Sequence, residues 1–277
     1  MAPATAQAGT VPPVYETIEL ELNSGSALIR LNRPAALNAW NTTLGDELLD
    51  AVHTVAGDDT VRAVGVIGAG RAFSSGADLR DMTSRPLTSD GHIDVLTTLT
   101  TVYHPILTGL RTMPKPVLAA INGPAVGIGC SLALSCDLLV AKRSSYLQLA
   151  FARIGLVPDG GAAALVAARA GGGRATRMAL LGDRVAAPTA LDWGLVDEVL
   201  DDDGFEEQIA ERLERLAAGP TRSYAGSKRQ LNEWLYARLP AQLELEAHVQ
   251  QEMAASADFA EGVSAFLEKR DPRFRGE

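Results

Sequence analysis

The sequence predicts an α/β layered core followed by a mostly helical C-terminal unit, on three observations. Short runs rich in Val, Ile, Leu and Ala recur between stretches with helical spacing, the pattern of a substantially parallel sheet. Hydrophobic residues make up 47% of the chain but aromatic residues only 5%, so small aliphatic side chains must build the core and let helices approach the sheet closely. From about Phe205 to Leu267 the periodicity is helical, with a break at Gly219-Pro220 and a new start at Pro240. A chain of 277 residues suffices for one large core with a smaller appended unit.

Taken in order, Met1 to Pro13 is rich in Ala, Pro, Thr and Gly and is expected to be a disordered tail. Val14 to Leu22 and Ala27 to Leu31 alternate apolar with polar residues across an Asn-Ser-Gly-Ser break, which reads as a strand pair. A helix follows, with Thr42 or Thr43 as its expected cap and Leu44, Leu48, Leu49 and Val52 on one face as far as Gly57. Val61 to Ile67, Val117 to Ile121 and Leu138 to Ala141 read as sheet strands. Met82 to Asp94 lacks any period and is expected to form a mobile wall of the site. Ala162 to Ala170, Arg174 to Leu181 and Thr189 to Trp193 read as short helices, broken by Gly171-Gly172-Gly173 and Pro188. The expected divisions are therefore a tail over 1–13, an α/β core over 14–200 and a helical region over 201–277.

Composition excludes several classes of function. A formal charge of −9 without a basic stripe argues against nucleic-acid binding. No apolar run approaches the ~20 residues of a membrane span and no signal peptide is legible, so a cytoplasmic location away from membranes is expected. Cys130 and Cys136 have neither zinc nor disulfide spacing and read as buried free thiols. The four histidines show no ligand spacing, and no metal site is expected. Gly127-Ile128-Gly129 lacks the third glycine of a dinucleotide fingerprint, and no phosphate-loop motif occurs.

Two glycine-bearing turns carry the chemical signal. Ile121 to Ser131 is an apolar run ending in closely spaced glycines before a helical pattern, and Phe73-Ser74-Ser75-Gly76-Ala77-Asp78-Leu79 is a second such junction. Together they supply backbone N–H groups to one oxyanion. Arg33, Arg71, Arg80 and Lys115 lie near these turns in sequence and are candidate partners for an anionic ligand. Pro158-Asp159-Gly160-Gly161 reads equally well as a tight turn and as a functional carboxylate. Its apolar approach, Ala150 to Val157, would raise the pKa of Asp159 and makes it a candidate base. His104 is the histidine of interest, on the helix leading to the second glycine turn.

These motifs, with Leu31-Asn32-Arg33-Pro34, Leu37-Asn38-Ala39, Pro114-Lys115-Pro116-Val117 into Asn122-Gly123, Leu181-Gly182-Asp183-Arg184, Gly194-Leu195-Val196 and Ala265 to Arg270, make the chain resemble the crotonase superfamily of enoyl-CoA hydratases and isomerases from Val14 to Phe274. The resemblance implies a ββα spiral core with a helical C-terminal trimerisation region, assembled as a homotrimer or a dimer of trimers. It implies an acyl-CoA thioester as substrate, with coenzyme A part of that substrate and no separate cofactor. By motif position the oxyanion hole is the N–H groups of Ala77 and Ile128, the latter opened by Gly127. Ser75, Gly76, Asp78, Leu79 and Arg80 are then expected along the CoA moiety, with Phe266 and Lys269 of the same or a neighbouring subunit.

Hydratases of this family resemble one another in two glutamates, at the places held here by Ser131 and Phe151. Asp159 falls where isomerases of the family carry a single acidic residue, including Δ3,Δ2-enoyl-CoA isomerases and ring-opening isomerases of phenylacetate degradation. A double-bond isomerase with Asp159 as proton shuttle is therefore the leading expectation. The alternatives are a hydratase using Asp159 with a water held by Ser131, a 4-chlorobenzoyl-CoA dehalogenase-like enzyme with Asp159 as nucleophile and His104 as base, and a non-catalytic acyl-CoA-binding protein. The Met82 to Thr101 wall is expected to set substrate choice.

Overall fold

The computed structural model describes residues 13–82 and 86–277. The tail expected over 1–13 lies outside the described residues except for Pro13, as do residues 83–85 of the expected wall. The strands are β1 (Ile18–Asn23), β2 (Ser26–Leu31), β3 (Ala63–Gly68), β4 (Val117–Ile121), β5 (Ala125–Val126), β6 (Leu138–Lys142), β7 (Tyr146–Gln148), β8 (Arg184–Ala186) and β9 (Glu198–Leu200). One sheet runs β1-β2-β3-β4-β6-β9, with β1 antiparallel to β2 and every other neighbour parallel. A second runs β5-β7-β8, parallel and then antiparallel.

Alternation along the central strands explains why both faces are covered. Val64, Val66, Val117, Ala119 and Ile121 enter the main core, whereas Ile67, Leu118 and Ala120 point to the opposite face. There they meet Phe205, Ile209 and Leu213 of the helix Phe205–Ala218. That helix lies so close that a Cβ on Gly65 would sit 2.7 Å from Leu213 Cδ1.

In chain order the helices are α1 (Thr42–Gly57), α2 (Leu79–Met82), α3 (Val95–Thr98), α4 (His104–Thr112), α5 (Ile128–Ser135), α6 (Ala162–Ala170), α7 (Gly172–Leu181), α8 (Ala187–Asp192), α9 (Phe205–Ala218), α10 (Thr221–Leu235), α11 (Leu239–Ala254) and α12 (Ala257–Glu268). A π-helical turn, Leu99–Tyr103, joins α3 to α4. The cap of α1 is Asn41, not Thr42 or Thr43, because Asn41 has the extended backbone of a cap and its side chain accepts from the Leu44 amide at 3.0 Å. Gly172 and Gly173 lie inside α7, and the break falls at Gly171 alone. Pro188 sits in the first turn of α8, where its missing N–H leaves no helical bond unmade.

Two C-terminal helices position the site. Buried residues of α11 include Leu243, Glu246, Ala247 and Gln250, and α12 packs on the short turn Phe151–Ile154 so tightly that a Cβ on Gly262 would lie 2.6 Å from the Ile154 backbone.

Candidate active site

The first glycine turn is shaped by buried amides. Asn38, fully buried, donates to the carbonyls of Ala69 and Ala72 at 3.0 and 2.8 Å and accepts from the Arg33 amide at 2.9 Å. Asn122 accepts from the Gly68 amide and donates to the Gly68 and Gly70 carbonyls, fastening the end of β3 to the end of β4. Backbone pairing of Ser74 with Ala125 then places the two turns side by side. A Cβ on Gly76 would lie 3.0 Å from the Val126 carbonyl oxygen and 3.8 Å from Gly127 Cα, so the positive φ of Gly76 and the close approach both require glycine.

Pairing also decides where the amide of Ala77 points. Trp40 bridges Ala77 by donating to the Gly76 carbonyl and accepting from the Asp78 amide, so the intervening Ala77 N–H is turned to the other side of the strand. Ile128 is the first residue of α5, whose amide has no carbonyl behind it within the helix. Gly127 reaches that helix start through φ 54° and ψ −129°, with its own N–H held by the Gln148 carbonyl at 3.0 Å.

Both residues line a cavity of about 960 Å³. Among the expected site residues, Ser75, Gly76, Ala77, Asp78, Leu79, Arg80, Gly127, Ile128, Phe151, Asp159 and Phe266 line it. Two do not. Ser131 is fully buried behind the wall, and its hydroxyl donates to the backbone carbonyl of Asp159 at 2.8 Å instead of facing the cavity. Lys269 caps α12 in an exposed left-handed conformation and does not line this chain's cavity, whereas the next residue, Arg270, does. Lys115 does not line the cavity either: it is buried, with its Nζ donating at 2.6 Å to each of the Val55 and Asp58 carbonyls, and burial pushes its pKa down. Among the described residues, the cations lining the cavity are Arg33, Arg71, Arg80, Arg153, Arg184 and Arg270.

Asp159 stands on the turn between the Phe151–Ile154 segment and α6 and is 6% exposed. One carboxylate oxygen, Oδ2, accepts from Gln250 Nε2 at 2.9 Å, while Gln250 Oε1 accepts from the Val157 amide at 3.0 Å. One helical turn earlier, Glu246 accepts the Gly161 amide at 2.8 Å. Glu246 also lies 3.3 Å from His104 Nε2, outside hydrogen-bonding geometry. His104 does not line the cavity. Asp78, a second carboxylate among the described residues at the cavity, is tied to Arg33 at 3.1 Å. Cys130 and Cys136 are buried free thiols, raised to about 12 by burial.

Gln250, Tyr103 and Glu246 are the residues that sequence reasoning missed. Glu246 and Gln250 fall on the face of α11 that carries Leu243, Ala247 and Ala254, and polar residues at helical spacing on an apolar face were the available signal. Tyr103 lines the cavity and packs edge-on against Trp40, ring centroids 5.0 Å apart.

Among the described residues no helix is long and apolar enough to cross a membrane. Residues 21–277 match the family model described as enoyl-CoA hydratase/isomerase. A protein named as a probable enoyl-CoA hydratase of Rhodobacter capsulatus is 42% identical over 95% of this chain and 99% of its own. The 1,2-epoxyphenylacetyl-CoA isomerase of Escherichia coli is 37% identical over 95% of this chain and 100% of its own. The crystal structure of an enoyl-CoA hydratase from Mycobacterium avium subsp. paratuberculosis superimposes with a TM-score of 0.85 at 36% identity, covering 95% of this chain and 100% of that one. With nearly its whole length matched and the crotonase fold in place, the chain is an enzyme of the enoyl-CoA hydratase/isomerase family.

Proposed function

We propose that this enzyme is a double-bond isomerase that converts a 3-enoyl-CoA to its 2-enoyl isomer. The Asp159 carboxylate takes the proton from the carbon next to the thioester, and the electron pair spreads to the thioester oxygen as a dienolate. The amides of Ala77 and Ile128 hold that oxygen, each contributing ~3 kcal/mol to the transition state. Asp159 then returns the proton to the γ-carbon, and the double bond moves into conjugation. The CoA phosphates meet the arginines of the cavity, with Phe266 and Arg270 at its C-terminal side.

The observation that carries this reading is the pairing of one carboxylate with an apolar wall. Phe151 takes a place where hydratases of the family look to hold a glutamate, and its Cζ lies 3.9 Å from where a Cβ of Gly127 would be. An apolar ring there excludes water that would capture the shuttled proton. The second glutamate's place belongs to Ser131, whose hydroxyl is engaged by the Asp159 carbonyl.

The test is ultraviolet detection of thioester conjugation with a 3-enoyl-CoA, and of its loss with a 2-enoyl-CoA, each repeated with Asp159→Asn. Conjugation that forms with the wild type and vanishes in the variant supports isomerisation. Loss of conjugation with the 2-enoyl-CoA instead supports hydration, the second reading, which the 42% identity to a protein named as a probable hydratase favours. Assembly as a trimer or a dimer of trimers belongs to the same proposal, supported by apolar side chains such as Leu231, Trp234 and Leu235 that one chain leaves exposed.

A further inference from the structure

We propose that Gln250 is the positioning residue for the base, aiming the Asp159 carboxylate into the cavity and stabilising its ionised form. The inference rests on the reading of Asp159 as the proton shuttle. Gln250 is 2% exposed, lines the cavity and bridges two points of one turn. Its Oε1 is committed to the Val157 amide at 3.0 Å, which fixes the orientation of the side-chain amide and leaves Nε2 facing Asp159 Oδ2 at 2.9 Å. Reversing the amide would set its oxygen against a carboxylate and its NH2 against an N–H, so this assignment follows from the partners.

A neutral donor on a carboxylate oxygen favours the charged form without supplying a cation that would quench the base. It also restricts the torsion of the Asp159 side chain, because Oδ2 is held at a fixed point of α11. The helix that carries Gln250 is itself locked to the same turn by Glu246 on the Gly161 amide. The next residue, Gln251, faces elsewhere: it accepts from the Val95 and Leu96 amides at 3.0 and 3.1 Å and donates to the Ile93 carbonyl at 3.1 Å, holding the start of α3 at the cavity wall. Two adjacent glutamines of α11 thus serve the catalytic turn and the substrate wall separately.

Other titratable groups surround the turn. Glu246 faces it from α11, and His104 faces Glu246 from α4. Tyr103 comes from the π-helical turn, while the Arg33–Asp78 pair and Arg80 also line the cavity. Gln250 donates to Asp159 Oδ2 as a neutral side chain, so its removal is read out as a change in the acid limb of the reaction.

The experiment measures kcat/KM against pH for a 3-enoyl-CoA in wild type, Gln250→Leu, Gln250→Glu and Gln251→Leu, with Asp159→Asn as reference. Loss of the donor in Gln250→Leu is expected to move the acid limb upward by about one pH unit, a roughly tenfold deficit at pH well below the midpoint. Gln250→Glu retains an acceptor for Val157 and so keeps the turn anchored, but sets a second carboxyl against Asp159. The pair titrates as a unit, and the limb moves up again; this variant carries the test if Gln250→Leu does not fold. Gln251→Leu is expected to change KM and leave the limb in place. An unmoved limb in both Gln250 variants, or an equal movement in Gln251→Leu, overturns the proposal. Activity surviving in Asp159→Asn overturns instead the assignment of Asp159 as base.

Discussion

The hydroxyl of Ser131 donates to the backbone carbonyl of Asp159 at 2.8 Å, tying the helix that begins with the Ile128 amide to the turn that carries the carboxylate. The proposed oxyanion donor and the proposed base are thereby braced against each other through one buried side chain. Ser131→Ala is expected to cost about 1–2 kcal/mol, since the bond is lost in a fully buried setting. Thermal unfolding checks the stability term. Kinetics should show kcat falling more than KM rises, and an unchanged kcat would separate the brace from the chemistry.

Gly127 holds a backbone conformation that L residues rarely adopt, and it delivers the Ile128 amide to the cavity. Gly127→Ala is expected to lower kcat by ~10²–10³, the effect of losing one oxyanion donor. Binding of free CoA, measured by calorimetry, should hold near the wild-type value because the arginines proposed to meet its phosphates lie elsewhere. A parallel loss of both would mean that the substitution disrupts the whole turn.

Lys228 fastens α10 to the core. It is buried, donates to the Leu110 and Lys115 carbonyls at 2.8 and 3.1 Å and pairs with Asp137 at 2.7 Å. Lys228→Ala leaves those acceptors behind and is expected to cost about 3 kcal/mol, read as a lower urea midpoint. Burial depresses the Lys228 pKa, opposed by Asp137. The unfolded chain therefore binds the lysine proton more tightly than the folded one, and this group's contribution to stability rises with pH just below the ordinary lysine value.

Glu198 on β9 and Arg212 on α9 couple the edge of the sheet to the helix covering its outer face. The hydrogen bond from Arg212 holds the Glu198 carboxyl below its usual range. A depressed carboxylate contributes stability that is fully present above the unfolded value of 4.5 and is lost as pH falls through the lower folded value. Melting temperatures across that acid window should fall less steeply in Glu198→Gln than in wild type. Identical slopes would show that the pair contributes nothing, as exposed pairs often do.

Patterns within one element were legible in the amino-acid order. The apolar run Val117–Ile121 and the helix Ala162–Ala170 begin and end where periodicity places them, because a buried strand and a helix each advertise their own repeat. The two glycine turns were legible for the same reason: a positive φ and a close backbone approach are demands on single residues. The motifs around them led to the family, and with it to Ala77, Ile128 and Asp159 at one cavity. Cap chemistry was less legible, since Asn41, Thr42 and Thr43 all suit the start of α1 and only the backbone angles choose among them.

What tertiary structure alone decided is which side chains meet across long separations. Gln250 reaches Asp159 from 91 residues away, and Asn122 reaches Gly68 from 54. No local repeat encodes such a pair. Ser131 became a brace, and Lys115 an anchor, because the packing of α5 and α1 brought carbonyl oxygens within reach of their donors. The amino-acid order determined the fold, the two glycine turns and the place of the carboxylate through propensity and periodicity; helix docking determined what holds that carboxylate, because hydrogen bonds between distant segments exist only once the core has closed.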